Sequence, residues 1–114
     1  MNQEDSVSVG SVELSFKQEE QQGTLVCQVS GQLETDNSPG FLNEVKSNLG
    51  LPGINTLVMD LTGLTYVSST GIGSFTTLLI ECKNREISLV LKHMNEKVKS
   101  VFDLLGFSSF FTME

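Results

Sequence analysis

Apolar and polar residues alternate in two stretches near the beginning of the chain, residues 11–17 and 24–30. Alternation with a period of two residues predicts strands with one buried face. The stretch between them is polar and ends in Gly23, which suits a hairpin connection, and Gly31 is expected to close the second strand. The two strands are therefore predicted to form an antiparallel β-hairpin at the edge of a sheet.

The rest of the chain alternates helical patterns with short apolar runs. Ser38 is predicted to cap a first helix, with Pro39 in the first helical position and Gly50 at its end. The nearly all-apolar run 56–61 predicts a strand that is covered on both faces and followed by a short loop. A second helix is expected to begin near Ser69, where apolar residues start to recur at helical intervals.

The C-terminal third continues the same alternation. Residues 87–91 predict another buried strand, and Asn95 is placed to cap a third helix with an apolar stripe. The apolar tail 107–111 is expected to add a short last strand or to pack on the core. The order β-β-α-β-α-β-α, with an optional final strand, predicts a single α/β domain with a mixed, mostly parallel sheet and about three helices.

The domain is predicted to span residues 11–114, because residues 1–10 are poor in apolar side chains and are expected to form a flexible segment. That segment also lacks the basic start and apolar run of a signal peptide. The net charge of −7 argues against nucleic acid or anionic membrane as a partner, since both select clusters of Lys and Arg. No apolar run approaches the ~18 residues of a membrane span. We therefore expect a cytoplasmic protein with neither nucleic-acid binding nor membrane insertion.

Chemistry-bearing side chains are scarce. Cys27 and Cys82 have no zinc-type spacing and lie in apolar runs, so both are predicted to be buried, reduced thiols. His93 is the single histidine and has no partner in sequence for a triad or a metal site. Neither a GK[ST] nor a GxGxxG phosphate loop occurs. The sequence therefore predicts no catalytic residue, no cofactor and no metal.

One segment stands apart, residues 60–73, which read DLTGLTYVSSTGIG. Three hydroxyl residues stand where the second helix begins (Ser68, Ser69 and Thr70), and Gly71 and Gly73 follow in its first turn. Glycine inside a helix costs about 1 kcal/mol relative to alanine. That cost predicts a surface kept bare so that a partner can approach closely. Serine and threonine are also common helix caps, so a purely capping role for the hydroxyl residues stays open.

A phosphate would be tolerated at such a helix start, because unpaired N–H groups and the helix dipole favour negative charge there. It would also add a charge of about −1.5 to −2 to a surface that a partner must cover. The fold would stay intact while the interface is blocked.

The same segment resembles the signature of the STAS domain family, in which a strand reading D-[LF]-S-x-[VL]-x-x-[IVM]-D-S-[ST]-G-[LI] precedes a helix. The stretch 31–34 (GQLE) resembles the family's earlier glycine motif, ahead of Asn37, and residues 88–111 resemble its C-terminal strand, helix and LLGF turn. The similarity covers about residues 11–112. Two positions depart from the pattern: Ser68 stands where the family usually has Asp, and Glu34 replaces the Asp of the earlier motif.

The resemblance implies an anti-sigma factor antagonist, which binds a GHKL-type anti-sigma factor that is also a serine kinase. It implies phosphorylation at Ser69, with Ser68 and Thr70 as alternatives, and reversal by a serine phosphatase. The partner-binding residues that it implies lie in two stretches, around the glycine motif and at the start of the second helix: Gly31, Glu34, Asn37, Ser68, Ser69, Thr70, Gly71, Ile72 and Gly73.

Two other functions stay open. The first is a constitutive interaction or scaffold module of the same fold, associated with a transporter or a signalling complex, in which Ser69 only caps the helix. The second is a small enzyme or nucleotide-binding protein, against which the missing phosphate loop argues.

Overall fold

The computed structural model describes the backbone of residues 2–9 and 12–114 and the side chains of residues 14, 15 and 17–114. The described residues form six strands: β1 (Asn2–Val9), β2 (Val12–Gln21), β3 (Thr24–Leu33), β4 (Thr56–Val67), β5 (Ser88–Lys92) and β6 (Thr112–Met113). The helices are α1 (Ser38–Leu49), α2 (Ser69–Asn84) and α3 (Glu96–Leu104), followed by a short 3-10 helix (Ser108–Phe110). Among these helices none combines the length and the apolar character that crossing a membrane requires.

The strands form one mixed sheet in the order β1-β2-β3-β4-β5-β6. The first three strands are antiparallel and the last four are parallel, with β3 belonging to both groups. The predicted α/β class, the element order from β2 onward and the optional last strand are confirmed, and β1 is an additional strand at the start. The predicted hairpin β2–β3 exists, but it does not form the edge of the sheet, because β1 pairs with β2 along its outer side.

Strand β1 is the element for which the sequence predicts no structure. Eight residues with few apolar side chains pair antiparallel with β2 from Asn2↔Glu19 to Val9↔Val12. Backbone hydrogen bonds hold such an edge strand, so the composition of its side chains gives little signal. The flexibility of this segment and the domain boundary between residues 10 and 11 stay predictions, and those two residues lie outside the described part of the chain.

In the part of the chain that the structure describes, the helices cover one face of the sheet. Alternate residues along the central strands are buried, in aligned rows such as Leu25, Leu57 and Leu89, while the residues between them are half-buried or exposed. The prediction that β4 is covered on both faces is therefore wrong. Val58 points outward from β4 and lies in a row with Val26 and Val90 on the helix-free face. The apolar run of β4 therefore supplies both the buried face of the strand and apolar residues on the face without helices.

The register of the parallel strands repeats evenly along the chain. Thr24 pairs with Thr56 and Thr56 pairs with Ser88, which places successive partners thirty-two residues apart. Each interval contains one helix that returns the chain to the same end of the sheet, as expected for a parallel crossover.

The core lies between the helix-covered face and the helices. Four phenylalanine rings cross it in a chain, with centroids 6.0 Å apart for Phe41–Phe75, 5.8 Å for Phe75–Phe102 and 5.6 Å for Phe102–Phe111. Ring pairs at this spacing stabilise a core beyond their buried area. The first three rings come from α1, α2 and α3, so the chain of rings fixes the helices beside one another.

Both cysteines are buried, as predicted. Burial, with the negative charge of Glu81 beside it, raises the pKa of the Cys82 thiol to about 11. At neutral pH this thiol stays protonated, which makes it a small hydrophobic side chain and a poor nucleophile.

Two strand ends differ from prediction. Gly31 does not close β3, which continues to Leu33, and the loop expected after Leu61 is instead the second half of β4, ending at Val67. The pairing of these two ends carries two register shifts, between Gln28 and Ser30 and between Gly31 and Gln32. Such irregularities break the alternation of buried and exposed residues, so the pattern of apolar residues does not predict a strand there.

Candidate functional site

The start of α2 lies beside the end of β3 and the loop that follows it. The backbone N–H of Ser68 donates to the carbonyl of Leu33 (2.9 Å), and the hydroxyl of Thr35 donates to that of Thr70 (3.2 Å). Parallel strands place their carboxyl ends, and the helices that follow them, at one edge of the sheet. The two segments meet at one edge of the sheet, and we call this surface the α2 entrance, defined by residues 34–36 and 68–73.

Ser68 is the residue that caps α2. It has an extended backbone (φ −87°, ψ 171°), and its Oγ accepts a hydrogen bond from the N–H of Gly71 at 3.1 Å. This satisfies one of the N–H groups that a helix start leaves without an internal acceptor. The helix itself begins at Ser69, as predicted.

Ser69 and Thr70 differ in how far their hydroxyls are engaged. Both residues are exposed. The hydroxyl of Thr70 accepts the hydrogen bond from Thr35, whereas the side chain of Ser69 makes no hydrogen bond within the part of the chain that the structure describes. Ser69 therefore presents its hydroxyl to solvent in the first position of a 16-residue helix, and its neighbour Ser68 caps that helix.

The two glycines of α2 have opposite surroundings. A Cβ on Gly71 would lie 2.8 Å from Cγ2 of Val67 and 2.9 Å from the carbonyl oxygen of Leu33, so glycine is required for the helix to sit on the strand ends. The prediction that this glycine keeps an outer surface bare is wrong, since Gly71 is buried. Gly73 is exposed, and a Cβ there would meet nothing within 4 Å.

A buried asparagine shapes the loop of the α2 entrance. Oδ1 of Asn37 accepts from the N–H of Glu34 (2.8 Å), and its Nδ2 donates to the carbonyl of Gln32 (2.8 Å). Asn37 occupies the cap position of α1 without a side-chain capping bond, so the helix begins at Ser38, one residue earlier than predicted. The Ser38 hydroxyl does not cap either, because it donates to the carbonyl of Glu34.

The other predicted binding residues lie deeper. Ile72 is buried in the core, and Gly31 lies inside β3, paired with Leu14 on one side and Leu64 on the other. Together with Asn37 and Gly71, these residues shape the surface from beneath. Among the predicted residues, the side chains that reach solvent at the α2 entrance come from Ser69 and Thr70 and, in part, from Glu34 and Ser68.

Sequence reasoning passed over Thr35 and Asp36, which are exposed on the loop. The hydroxyl of Thr35 reaches α2, and Asp36 adds a second carboxylate to the loop that carries Glu34. Their position in the sequence could have indicated this role. They lie between the glycine motif and the start of α1, which the register of the strands places at the same edge of the sheet as the start of α2. Since residues 31–37 and 62–73 contain no Lys or Arg, the α2 entrance is acidic.

Asp60, the first residue of the motif, lies on the helix-free face and outside the α2 entrance. Its Oδ1 accepts from the hydroxyl (2.6 Å) and the N–H (3.1 Å) of Thr62. Partial burial acts to raise the pKa of Asp60, but the two hydrogen bonds from Thr62, together with the charges of His93 and Lys92, hold it below its usual value of 3.8. The side chain thus fixes the backbone at the middle of β4.

These features define a two-layer α/β domain that presents a hydroxyl-bearing helix start and an acidic loop at one edge of its sheet. A family model for the STAS domain matches residues 15–114, and the chain belongs to the STAS domain family.

Solved structures share the fold. The unphosphorylated anti-sigma factor antagonist SpoIIAA is 17% identical, with a TM-score of 0.74 and 87% of each chain covered. The phosphorylated form of SpoIIAA from Bacillus gives 16% and 0.67, with 87% of this chain and 90% of that chain covered. An anti-sigma factor antagonist from Mycobacterium paratuberculosis gives 18% and 0.71, covering 88% of this chain and 84% of that chain.

The fold also occurs inside a larger protein. The murine anion transporter Slc26a9 is 20% identical with a TM-score of 0.68, and the match covers 75% of this chain but only 14% of the transporter. At these identities the likeness establishes the fold.

Proposed function

We propose that this protein is an anti-sigma factor antagonist that acts by binding and not by catalysis. Its partner is a GHKL-type anti-sigma factor, bound through the α2 entrance, and phosphorylation of Ser69 by that partner releases it. A serine phosphatase restores the binding form. The observation that carries the proposal is the state of Ser69, which offers an exposed hydroxyl without a hydrogen bond in the described structure at the first position of α2.

The neighbouring hydroxyls are poorer substrates on geometric grounds. Oγ of Ser68 is engaged with the N–H of Gly71, so a phosphate there would disturb the helix cap. The hydroxyl of Thr70 is engaged with Thr35. This difference favours Ser69 among the three, although Ser68 occupies the position at which the family usually carries Asp.

A phosphate on Ser69 would change the surface and leave the fold intact. The helix N-terminus favours the negative charge by roughly 0.3–1 kcal/mol. No Lys or Arg in residues 31–37 or 62–73 could draw the phosphate down onto the domain itself. The added charge of about −1.5 to −2 would therefore stay on the acidic surface of the α2 entrance, where the size of the phosphate and the cost of removing its hydration block a partner surface that fits the unmodified hydroxyl.

The family's fold also serves a transporter, as the likeness to part of Slc26a9 illustrates. A constitutive interaction module is therefore the second candidate. It requires no modification at Ser69, and a charge there would leave the partner bound.

The test compares four forms of the protein as baits for a lysate of the native cell: wild type, Ser69→Asp, Ser69→Ala and Ser109→Asp. Ser109 is exposed in the short 3-10 helix, so its substitution adds the same charge away from the α2 entrance. We expect the wild type, Ser69→Ala and Ser109→Asp to retain a GHKL-type ATPase, and Ser69→Asp to lose it. Identical partners on all four baits would overturn the switch and favour the constitutive module.

The second arm identifies the modified residue. The captured ATPase is purified and incubated with ATP and the wild type, Ser68→Ala, Ser69→Ala or Thr70→Ala, and phosphate incorporation is measured by intact mass. We expect one phosphate on each form except Ser69→Ala. Phosphate on Ser69→Ala together with its loss in Ser68→Ala would move the switch by one residue.

A further inference from the structure

A groove runs between α1 and α2 directly behind the α2 entrance. It has a volume of about 420 Å³, and its lining includes Ser38, Pro39 and Leu42 from α1 and Thr70, Gly73 and Thr77 from α2. The groove shares Thr70 and Gly73 with the α2 entrance, so a partner that covers Ser69 also covers the mouth of the groove.

Contacts between neighbouring segments lie near both ends of the groove. The hydroxyls of Thr35 and Thr70 meet at the end nearest Ser69 (3.2 Å). One turn beyond the lining residues at the other end, Lys46 of α1 and Glu81 of α2 form an ion pair (3.9 Å). The space between these two contacts is a shallow recess that is open to solvent on its outer side.

Gly73 is the unexplained residue of this recess. Gly71, two residues earlier, has to be glycine because the strand ends touch it, but no atom of the described residues lies within 4 Å of a Cβ on Gly73. Glycine inside a helix costs about 1 kcal/mol relative to alanine, and the described fold gains nothing in return at this position. A group from outside the chain that comes to lie over Gly73 would account for the glycine.

The charges of the recess indicate which group fits. None of the residues that line it is ionisable, in a chain with a net charge of −7, and Pro39 and Leu42 provide apolar surface. The loop residues on either side of Thr35, at the near end, are the acids Glu34 and Asp36. A charged side chain would lose its hydration inside such a recess without gaining an ion pair, whereas basic residues are favoured at its acidic rim.

We propose that the α1–α2 groove receives one apolar side chain of the partner ATPase, carried by a segment whose neighbouring residues are basic. This inference rests on the proposed function, and it adds a second anchor to the contact around Ser69. Apolar side chains that fill a recess at the centre of an interface commonly carry a large share of the binding energy.

The test uses the purified ATPase that wild-type protein captures, and measures its affinity for wild type, Ser69→Asp, Gly73→Ala, Gly73→Leu and Ser100→Leu by calorimetry, together with the thermal midpoint of each form. Ser100 is exposed on α3 and outside the groove, so its substitution is the control for an added leucine side chain. We expect Gly73→Leu to bind at least tenfold more weakly, Gly73→Ala to bind more weakly by a smaller factor, and Ser100→Leu to bind as wild type.

The thermal midpoint separates this outcome from a damaged fold. Because the glycine cost is relieved, both Gly73 variants should melt higher than wild type, by roughly 3–6 °C. Affinity of Gly73→Leu equal to that of wild type would overturn the groove while leaving the proposed function in place. A wild type that binds no such ATPase would overturn both. A change confined to self-association, measured by sedimentation, would assign the groove to a second copy of the chain and overturn the proposal.

Discussion

Asn95 joins the start of α3 to the second half of β4 through Leu64. Its Oδ1 accepts a hydrogen bond from the N–H of Val98 (2.8 Å), which caps the helix, while its Nδ2 donates to the carbonyl of Leu64 (2.9 Å). Strand β5 pairs with β4 only as far as Asp60↔Lys92. The carbonyl of Leu64 therefore lies beyond the end of β5. The side-chain amide of Asn95 donates the hydrogen bond that a longer β5 would have supplied.

Replacing Asn95 should separate these two roles. Asn95→Ala removes both hydrogen bonds and is expected to lower the free energy of unfolding by about 2 kcal/mol, the sum of a lost cap and an unpaired carbonyl. Asn95→Asp keeps the capping oxygen and loses only the donor, so it should fall between wild type and Asn95→Ala. Urea titration of the three forms measures the order, and equal losses for both variants would show that capping contributes nothing.

Gly71 should tolerate no side chain, in contrast to Gly73. A methyl group at position 71 would press against Val67 and the carbonyl of Leu33, so Gly71→Ala is expected to cost about 1–3 kcal/mol although alanine favours helices. The same substitution at position 73 should stabilise the fold. Denaturant midpoints of the two variants, measured side by side, check this opposition, and a stabilised Gly71→Ala would contradict the close approach of α2 to the strand ends.

Gln18 is a polar side chain buried among the apolar residues of the core. It is 2% exposed on the helix-covered face of β2, where it pairs with Cys27, and neither its Oε1 nor its Nε2 finds a hydrogen-bond partner among the described residues. A buried amide without partners costs about 1–3 kcal/mol. Gln18→Met, which has a similar unbranched shape, should therefore raise the free energy of unfolding by about 1–2 kcal/mol in urea, and a lower value would show that the amide is satisfied in solution.

Asp60 should make stability depend on pH in acid. Its pKa is depressed in the folded state, so its charge stabilises the fold above its usual pKa near 3.8, and this contribution disappears as the pH falls through the folded-state pKa. Asp60→Asn keeps an oxygen for Thr62 but never carries the charge. Urea titrations from pH 7 to pH 2 should show a wild type that is more stable at pH 7 and a difference that closes below about pH 4. A constant difference would contradict the assignment.

The sequence indicates the regular parts of this molecule well. Strong periodicity marks α3 with its apolar stripe, and Asn95 is correctly predicted to cap it. The start of α2 is also correct, because hydroxyl residues after an apolar strand leave few alternatives. The class of the fold follows from this order of elements alone.

What the sequence misses lies where contacts from distant segments decide the structure. The second half of β4 is predicted as a loop because the apolar run ends at Leu61, yet β3 holds it in the sheet through shifted pairing. The roles within SSTGIG could not be divided from the sequence, since only the packed structure shows that Ser68 caps, that Ser69 is unengaged and that Gly71 is required by the strand ends. The proximity of Thr35 to Thr70, thirty-five residues apart, has no local signal at all.

The even register of the parallel strands also bears on how the chain reaches its fold. Because Thr24 pairs with Thr56 and Thr56 with Ser88, two loops of thirty-two residues must close before the central strands gain their ladder of hydrogen bonds. The entropy of closing each loop comes first and the stabilising contacts follow, which slows refolding relative to a helical bundle of equal size. During synthesis, β3 leaves the ribosome long before β4, so its apolar inner row stays without its parallel neighbour until the crossover is complete.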